Sequence, residues 1–246
     1  MSVWGKLAGV TAGYLVGGIL GAVVGAVAGH FVLDKNDEDV AFAIALIALS
    51  AKMSKADGKI SNKEFIAFKE ILHDIPENEL KNVLKIYNLA KEDISGYEIY
   101  ASQIATIFEN NLHVLENVLD ALFHVAKADA PVNKNELFFL EKVAGIFGFT
   151  AAEFARIRAS HMAAQNDDPW LVLGLESGTD IEKTKSQWKR LAAENHPDKL
   201  IAKGVPKELL GMANEKLSVI NGAYNKIVRA HAVSYTHLTL PTMLWV

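Results

Sequence analysis

The amino-acid sequence predicts an all-α protein: an N-terminal transmembrane helix, a helical middle domain of two similar halves, and a small C-terminal helical hairpin. Three observations carry this prediction. From Leu7 to Leu33 no residue bears a formal charge at neutral pH, and only His30 could acquire one. Between residue 39 and about residue 163, apolar residues recur at spacings of three and four, and strand-like alternation is absent. Beyond residue 164, two more apolar stripes flank the tripeptide His196-Pro197-Asp198.

Composition narrows the function classes. The chain has 246 residues, enough for one or two globular domains, and half of them are hydrophobic. Its net charge of -4 gives no basic excess of the kind that marks a nucleic-acid binder. There is no cysteine, which excludes disulfides, thiolate catalysis and cysteine-type zinc sites, and which fits a reducing compartment.

As a helix rising about 1.5 Å per residue, the stretch Leu7–Leu33 would reach about 40 Å, against about 30 Å for a bilayer core. A signal peptide has a shorter apolar core of about 7–15 residues and a small-residue cleavage site. This run instead leads directly into the charged sequence Asp34-Lys35-Asn36-Asp37-Glu38-Asp39, as expected of an uncleaved anchor. Gly9, Gly13, Gly17, Gly21, Gly25 and Gly29 recur every fourth residue. On a helix they form one slowly drifting stripe, where a second backbone can approach closely. Homodimerisation through this stripe is the functional expectation. A generic glycine-rich membrane helix and a membrane-inserting stripe are the alternatives. Lys6 and Lys35 flank the segment almost evenly, so charge does not fix its orientation.

In the middle domain, Leu80, Val83, Leu84 and Tyr87 form one stripe, and Leu112, Leu115, Val118, Leu119 and Leu122 another. Breaks near Asp57-Gly58, Pro76, Ser95-Gly96, Pro131 and Gly148 divide the region into about seven helices. The segment from Lys55 to Glu64 is repeated, 72 positions on, from Lys127 to Glu136. Each copy ends one helix, turns and starts another. Ser61 with Glu64, and Asn133 with Glu136, fit a helix start in which the cap side chain accepts a free backbone N–H and the glutamate reaches back. Ile60 and Val132 suit a small apolar plug. Asp57, Glu64, Asp129 and Glu136 lack the alternate oxygen ligands of a calcium loop, so capping and turn formation explain them and no metal site is expected. These turns resemble those of the TerB-like helical domain, although Ala130-Pro131 replaces Gly58-Lys59 in the second copy. The resemblance implies links to metal and stress responses without a defined chemistry.

The C-terminal region opens with Trp170-Leu171-Val172-Leu173-Gly174-Leu175. An amphipathic helix follows from Ile181 to about Asn195. Ile181, Thr184, Trp188, Leu191 and Ala192 share its apolar face; Lys183, Lys189 and Arg190 point away, with Lys185 at the border. A further stripe, Leu209, Ala213, Leu217, Ile220, Tyr224 and Ile227, supplies the second helix of an antiparallel pair. Between them Pro197 is expected to stop the helix and to hold His196 and Asp198 on a stiff loop, out of the helical ladder.

Taken together, W-L-V-L-G-L, W-K-R-L-A-A-E-N-H-P-D-K and I-N-G-A-Y-N-K-I, in this order, resemble a J domain over about residues 168–230. Trp170 and Trp188 stand at positions usually held by tyrosine. The longer loop K-G-V-P after His196-Pro197-Asp198-Lys199 is similar to that of the membrane-anchored, DnaJ-like DjlA family, which also has a glycine-rich membrane helix and a TerB-like domain.

The resemblance implies three parts: anchor 1–34, TerB-like domain 35–163 and J domain 164–233; residues 234–246, uncharged and without a stripe continuing from Ile227, are expected to be an unstructured tail of stray or read-through origin. It implies a co-chaperone without enzymatic activity or cofactor. Lys185, Lys189 and Arg190 would steer toward an acidic surface of a DnaK-type chaperone, and His196, Pro197, Asp198 and Lys199 would engage it and stimulate its ATPase. It further implies an inner-membrane protein whose soluble part faces the cytoplasm, where the ATP-driven partner works. A membrane-linked stress sensor whose middle domain binds a ligand or metal, and a structural membrane protein assembling through the glycine stripe, stay open as alternatives.

Overall fold

The computed structural model describes residues 35–56, 62–71, 80–92, 95–108, 111–162, 168–205 and 207–238. Every regular element among them is helical: α1 (Lys35–Ala56), α2 (Asn62–Ile71), α3 (Leu80–Ala90), α4 (Tyr97–Ile107), α5 (Leu112–Ala126), α6 (Lys134–Ile146), α7 (Ala151–Met162), α8 (Pro169–Val172), α9 (Ile181–Glu194), α10 (Pro197–Ala202), a 3-10 segment (Lys207–Met212) and α11 (Ala213–Leu238). Among the described residues no helix is long and apolar enough to cross a membrane. The anchor Leu7–Leu33 and its stripe from Gly9 to Gly29 lie outside them.

Two compact units result. One runs up to Thr150 and includes Lys203–Gly211; the other comprises Ala151–Ala202 and the chain from Met212 onward. The first is organised around α1, which packs against α2, α3, α4, α5 and α6. Its sequence explains why: from Phe42 to Ser54 every residue is buried, and a helix that is apolar all round must be covered on all sides. The predicted breaks at Ser95-Gly96, Pro131 and Gly148 fall between helices, while Asp57-Gly58 and Pro76 lie outside the described residues. Gly96 and Gly148 take left-handed φ values of 77° and 88°, and Pro131 sits between α5 and α6.

The repeat is visible in the buried carboxyls. Glu64 and Glu136, equivalent in the two copies, are both buried. At the second copy Asn133 Oδ1 accepts from the N–H groups of Asn135 and Glu136 at 2.9 and 3.1 Å, while the Asn133 N–H donates to Glu136 Oε2 at 2.8 Å. That is the reciprocal cap the spacing predicts. Ser61 and Ile60 of the first copy lie outside the described residues; Val132 is half-buried. Leu112, expected on the apolar stripe, is instead exposed at the first turn of α5, before that helix is covered.

A polar thread runs through the α1 core. Lys52, 0% exposed, donates from Nζ to the Ser95 carbonyl at 2.7 Å and sits 5.8 Å from the Tyr100 ring centroid. Tyr87 Oη donates to Ser54 Oγ at 3.0 Å, and Ser54 Oγ donates to the Ser50 carbonyl at 3.1 Å. The Tyr87 ring also meets Phe65 and Phe68, with centroids 5.2 and 5.6 Å away. Burial pushes the Tyr87 hydroxyl up to about 12, opposed by its hydrogen bond with Ser54 and reinforced by the Glu64 charge. The folded value lies above the unfolded value of 10.0, so the associated stabilisation is complete below that pH and is lost as the pH rises through about 12. The shift corresponds to about 3 kcal/mol. Tyr87→Phe is therefore expected to lose less stability than the parent between about pH 10 and pH 12, measured by denaturant midpoints. Parallel curves for the two proteins would count against a buried, protonated hydroxyl.

The second unit has its own core: Ala159, Val172, Leu173, Leu191, Ile220, Ala223 and Ile227, with Trp170, Leu175, Ile181, Trp188, Val219 and Tyr224 packed around it. Asp168 opens α8 by accepting from the Trp170 N–H at 2.9 Å, and its other carboxylate oxygen contacts the Ser177 hydroxyl. At its far end Gly174 turns the chain with φ 69°, and a Cβ there would lie 2.9 Å from Arg156 Cδ. Glycine is thus favoured by conformation, and a side chain there would also make Arg156 shift.

By packing, the second unit starts at Ala151, because α7 packs on α8 and α11 and places Ala159 in their core. Two element boundaries differ from expectation. Leu209 lies in the 3-10 segment rather than on α11, just ahead of Gly211, which is a poor helix residue. Finally, α11 continues through Ser234 to Leu238, so the expected unstructured tail begins as helix. An established helix elongates readily, and no glycine or proline intervenes before Pro241.

Candidate functional site

The sequence-predicted corner forms where α9 gives way to α10. Helix α9 starts at Asp180, whose carboxylate accepts the N–H groups of Glu182 and Lys183 at 3.0 and 3.2 Å. Those bonds hold its carboxyl below the usual range, with smaller contributions from the charges of Lys183 and His231. His231 is near the far end of α11, whereas Trp188, further along α9, meets Asn221 and Tyr224, earlier on α11. As one helix advances the other recedes, so α9 and α11 are antiparallel, as the two stripes predict. The Trp188 and Tyr224 rings stack at 4.4 Å and 9°, and Trp188 Nε1 donates to Asn221 Oδ1 at 2.8 Å.

At its other end, α9 is closed by Asn195. Its N–H and its side-chain amide both donate to the Leu191 carbonyl, at 3.0 and 2.9 Å, satisfying an acceptor the ended helix would leave open. The chain then turns at His196, and here the structure corrects the expectation of a loop. Pro197 is the first residue of the short helix α10, and Asp198 lies within it. Proline suits this position because its missing N–H would have no helical partner and its φ is already helical. The His196 carbonyl accepts from Lys199 and Leu200 at 2.9 and 3.0 Å, and the Asp198 N–H donates to His196 Nδ1 at 3.3 Å. The imidazole thus acts as the helix cap. This bond needs a lone pair on Nδ1, so it belongs to the neutral ring with its proton on Nε2. Asp198 Oδ2 lies 3.7 Å from the same nitrogen, where it would pair with a protonated ring.

The corner faces solvent. The side chains of His196 and Asp198 are 56% and 88% exposed. Below them Leu200 is buried and pins α10 to the unit. Lys185, Lys189, Arg190 and Lys199 are all exposed. Arg190 is held in place by Gln187 Oε1, at 3.1 and 3.0 Å, and by Glu194 at 3.3 Å. The structure thus presents an exposed imidazole and carboxylate at the start of α10 and several exposed cations on the adjoining helix α9. Such a surface suits docking of an acidic protein. Sequence reasoning missed Asn195 as the closure of α9 and His196 as a cap. The signal for the second was present: proline followed by an acid is a common helix start.

The first unit has a cleft of about 320 Å³ lined by Lys63, Ile66, Ala67, Glu70, His124, Lys127 and Ala128, in which His124 Nε2 approaches Glu70 Oε2 to 3.7 Å. Among the described residues no three histidine or acid side chains gather as a metal site would require.

Comparison with known families meets this geometry from the other side. Residues 43–159 match the family described as tellurite resistance protein TerB, and residues 1–51 match the transmembrane domain of co-chaperone DjlA. A DjlA co-chaperone of Mannheimia succiniciproducens is 25% identical over 236 residues, covering 76% of this chain and 79% of the relative. Over most of its length this chain is therefore similar to DjlA co-chaperones. The DjlA co-chaperone of Haemophilus influenzae is 26% identical over 242 residues, covering 82% of this chain and 76% of its own. That of Pasteurella multocida reaches 49% identity, but over 63 residues that make up 26% of this chain and 22% of the relative. No solved structure matches. The DjlA transmembrane match supports membrane anchoring through the N-terminal segment. The TerB match runs into α7, which belongs to the second unit, so the last matched helix and the C-terminal core share residues.

Proposed function

We propose that the chain is a membrane-anchored J-domain co-chaperone that stimulates ATP hydrolysis by a DnaK-type chaperone. The observation that carries the reading is the exposed His196–Asp198 corner at the start of α10, beside the cationic side of α9. Lys185, Lys189, Arg190 and Lys199 attract an acidic partner surface over roughly a Debye length, about 8 Å at physiological ionic strength. His196, Pro197 and Asp198 then make the short-range contacts, and the stacked α9–α11 pair keeps them in place. The hydrolytic chemistry belongs to the partner; this chain supplies binding energy that favours the hydrolysis-competent state.

In this reading residues 1–34 anchor the protein in the bacterial inner membrane, 35–163 form the TerB-like domain and 164–233 the J domain. The soluble part faces the cytoplasm, the side that holds ATP. The glycine stripe from Gly9 to Gly29 brings two anchors together as a homodimer. Single-turnover ATP hydrolysis by a bacterial DnaK, with and without the whole chain in lipid nanodiscs, tests the activity. Stimulation of about tenfold or more at saturating co-chaperone is expected. Turnover equal to that of the chaperone alone would end the proposal.

A further inference from the structure

We propose that Ile201 is an additional contact residue of the docking corner, meeting an apolar patch that borders the acidic surface of the ATP-bound chaperone. The inference rests on the co-chaperone reading above and adds to it a residue whose contribution is not electrostatic.

Ile201 is 56% exposed, whereas its neighbour Leu200 is buried. Isolated apolar residues on a surface are ordinary, so exposure alone decides nothing. Position does. In α10, Pro197 and Asp198 precede Ile201 by four and three residues, and at helical spacing these side chains share one face. With Leu200 anchoring the inner side, the outer face of this helix carries proline, carboxylate and isoleucine together. Nothing local calls for a β-branched apolar residue here. Isoleucine forms helix less well than the leucine and alanine on either side.

The surroundings define the occupant. Asp198 and Lys199 share α10 with Ile201, and the exposed cations Lys185, Lys189 and Arg190 lie on α9, which packs against α10; a specific interface likewise combines an apolar centre with polar groups around it. A membrane or a second copy of this surface does not suit it. A like copy would oppose cation to cation, and a bilayer would have to receive the exposed Asp198 carboxylate. An acidic protein surface with a small apolar recess fits both the charge and the isoleucine. The cations then govern encounter and salt dependence, while Ile201, once desolvated, slows departure.

The test uses the whole chain in nanodiscs and a bacterial DnaK, with the concentration giving half-maximal ATPase stimulation measured at about 50 and about 300 mM salt. Ile201→Ser is expected to raise that concentration about tenfold at both salts. Its thermal melt should be unchanged, and Ile201→Leu should recover most of the affinity. Lys189→Glu provides the contrast, with an effect that shrinks at high salt. Three results overturn the inference: an Ile201→Ser value within about twofold of the parent, a loss confined to low salt, or no recovery by leucine. If His196→Gln still abolishes stimulation in such a case, the co-chaperone reading survives. If the parent chain itself fails to stimulate, both fall together.

Discussion

Replacing His196 with glutamine is expected to lower stimulation of the partner ATPase by about 30-fold, the scale of a single interface hot spot, while leaving the fold intact. The side chain is more than half exposed, and its protein contacts are local ones within the corner. The imidazole performs two tasks that substitution separates. Nδ1 caps α10 by accepting the Asp198 N–H, and Nε2, with the ring proton, points away from that bond and is available to a partner. Glutamine keeps the reach of Nε2 but supplies no fixed acceptor at Nδ1; asparagine supplies the acceptor without the reach. Loss of the cap costs about 1 kcal/mol and is confined to a six-residue helix. Both variants should therefore melt close to the parent. If the ring contacts the partner, asparagine fails as completely as glutamine. Recovery of stimulation by His196→Asn alone would show that the histidine only positions Asp198. Parent-like stimulation by both would remove the corner from the mechanism.

Where one helix ends and another begins was largely legible, because the period of apolar residues and the positions of glycine and proline are local properties. Among the described residues the breaks predicted at Ser95-Gly96, Pro131 and Gly148 separate helices, the separation of α4 from α5 was not foreseen, and Asn133 with Glu136 forms the cap its spacing requires. The exposure of His196, Asp198 and the cations of α9 was equally legible. The rest depended on information that does not lie near a residue in sequence. Lys52 looks like a surface lysine in the run Ala48-Leu49-Ser50-Ala51-Lys52-Met53, and only the folded chain brings the Ser95 carbonyl to it. The apolar residues of α7, Phe154, Ile157 and Ala159, announce a buried face without saying which core receives it. Proline was read as the end of α9, which is right, and as the cause of a loop, which is not. The same missing N–H that ends one helix fits the first position of the next.

The largest structural effect is expected from Trp188→Ala, at about 3 kcal/mol of destabilisation of the second unit. Three losses combine: apolar area on the α9–α11 seam, the parallel stacking on Tyr224 and the bond from Nε1 to Asn221. The buried centre of that unit is small, with two alanines among its seven residues, so a cavity there has few neighbours to close it. Because the chain has two cores, its unfolding is not a single two-state transition, and the variant should move one phase only. Thermal or denaturant unfolding followed by circular dichroism should show the phase of the C-terminal unit shifted down and that of the α1-centred unit unchanged. Trp188→Phe, which keeps an aromatic ring but loses the hydrogen bond, should recover about two-thirds of the loss. ATPase stimulation should fall with Trp188→Ala although the tryptophan touches no partner, because the corner is positioned only while α9 is held against α11. His196→Gln loses activity at constant stability, whereas Trp188→Ala loses both together. An unshifted melt for Trp188→Ala would mean that the stacked pair does not hold the hairpin, and the physical basis for a rigid docking corner would be lost.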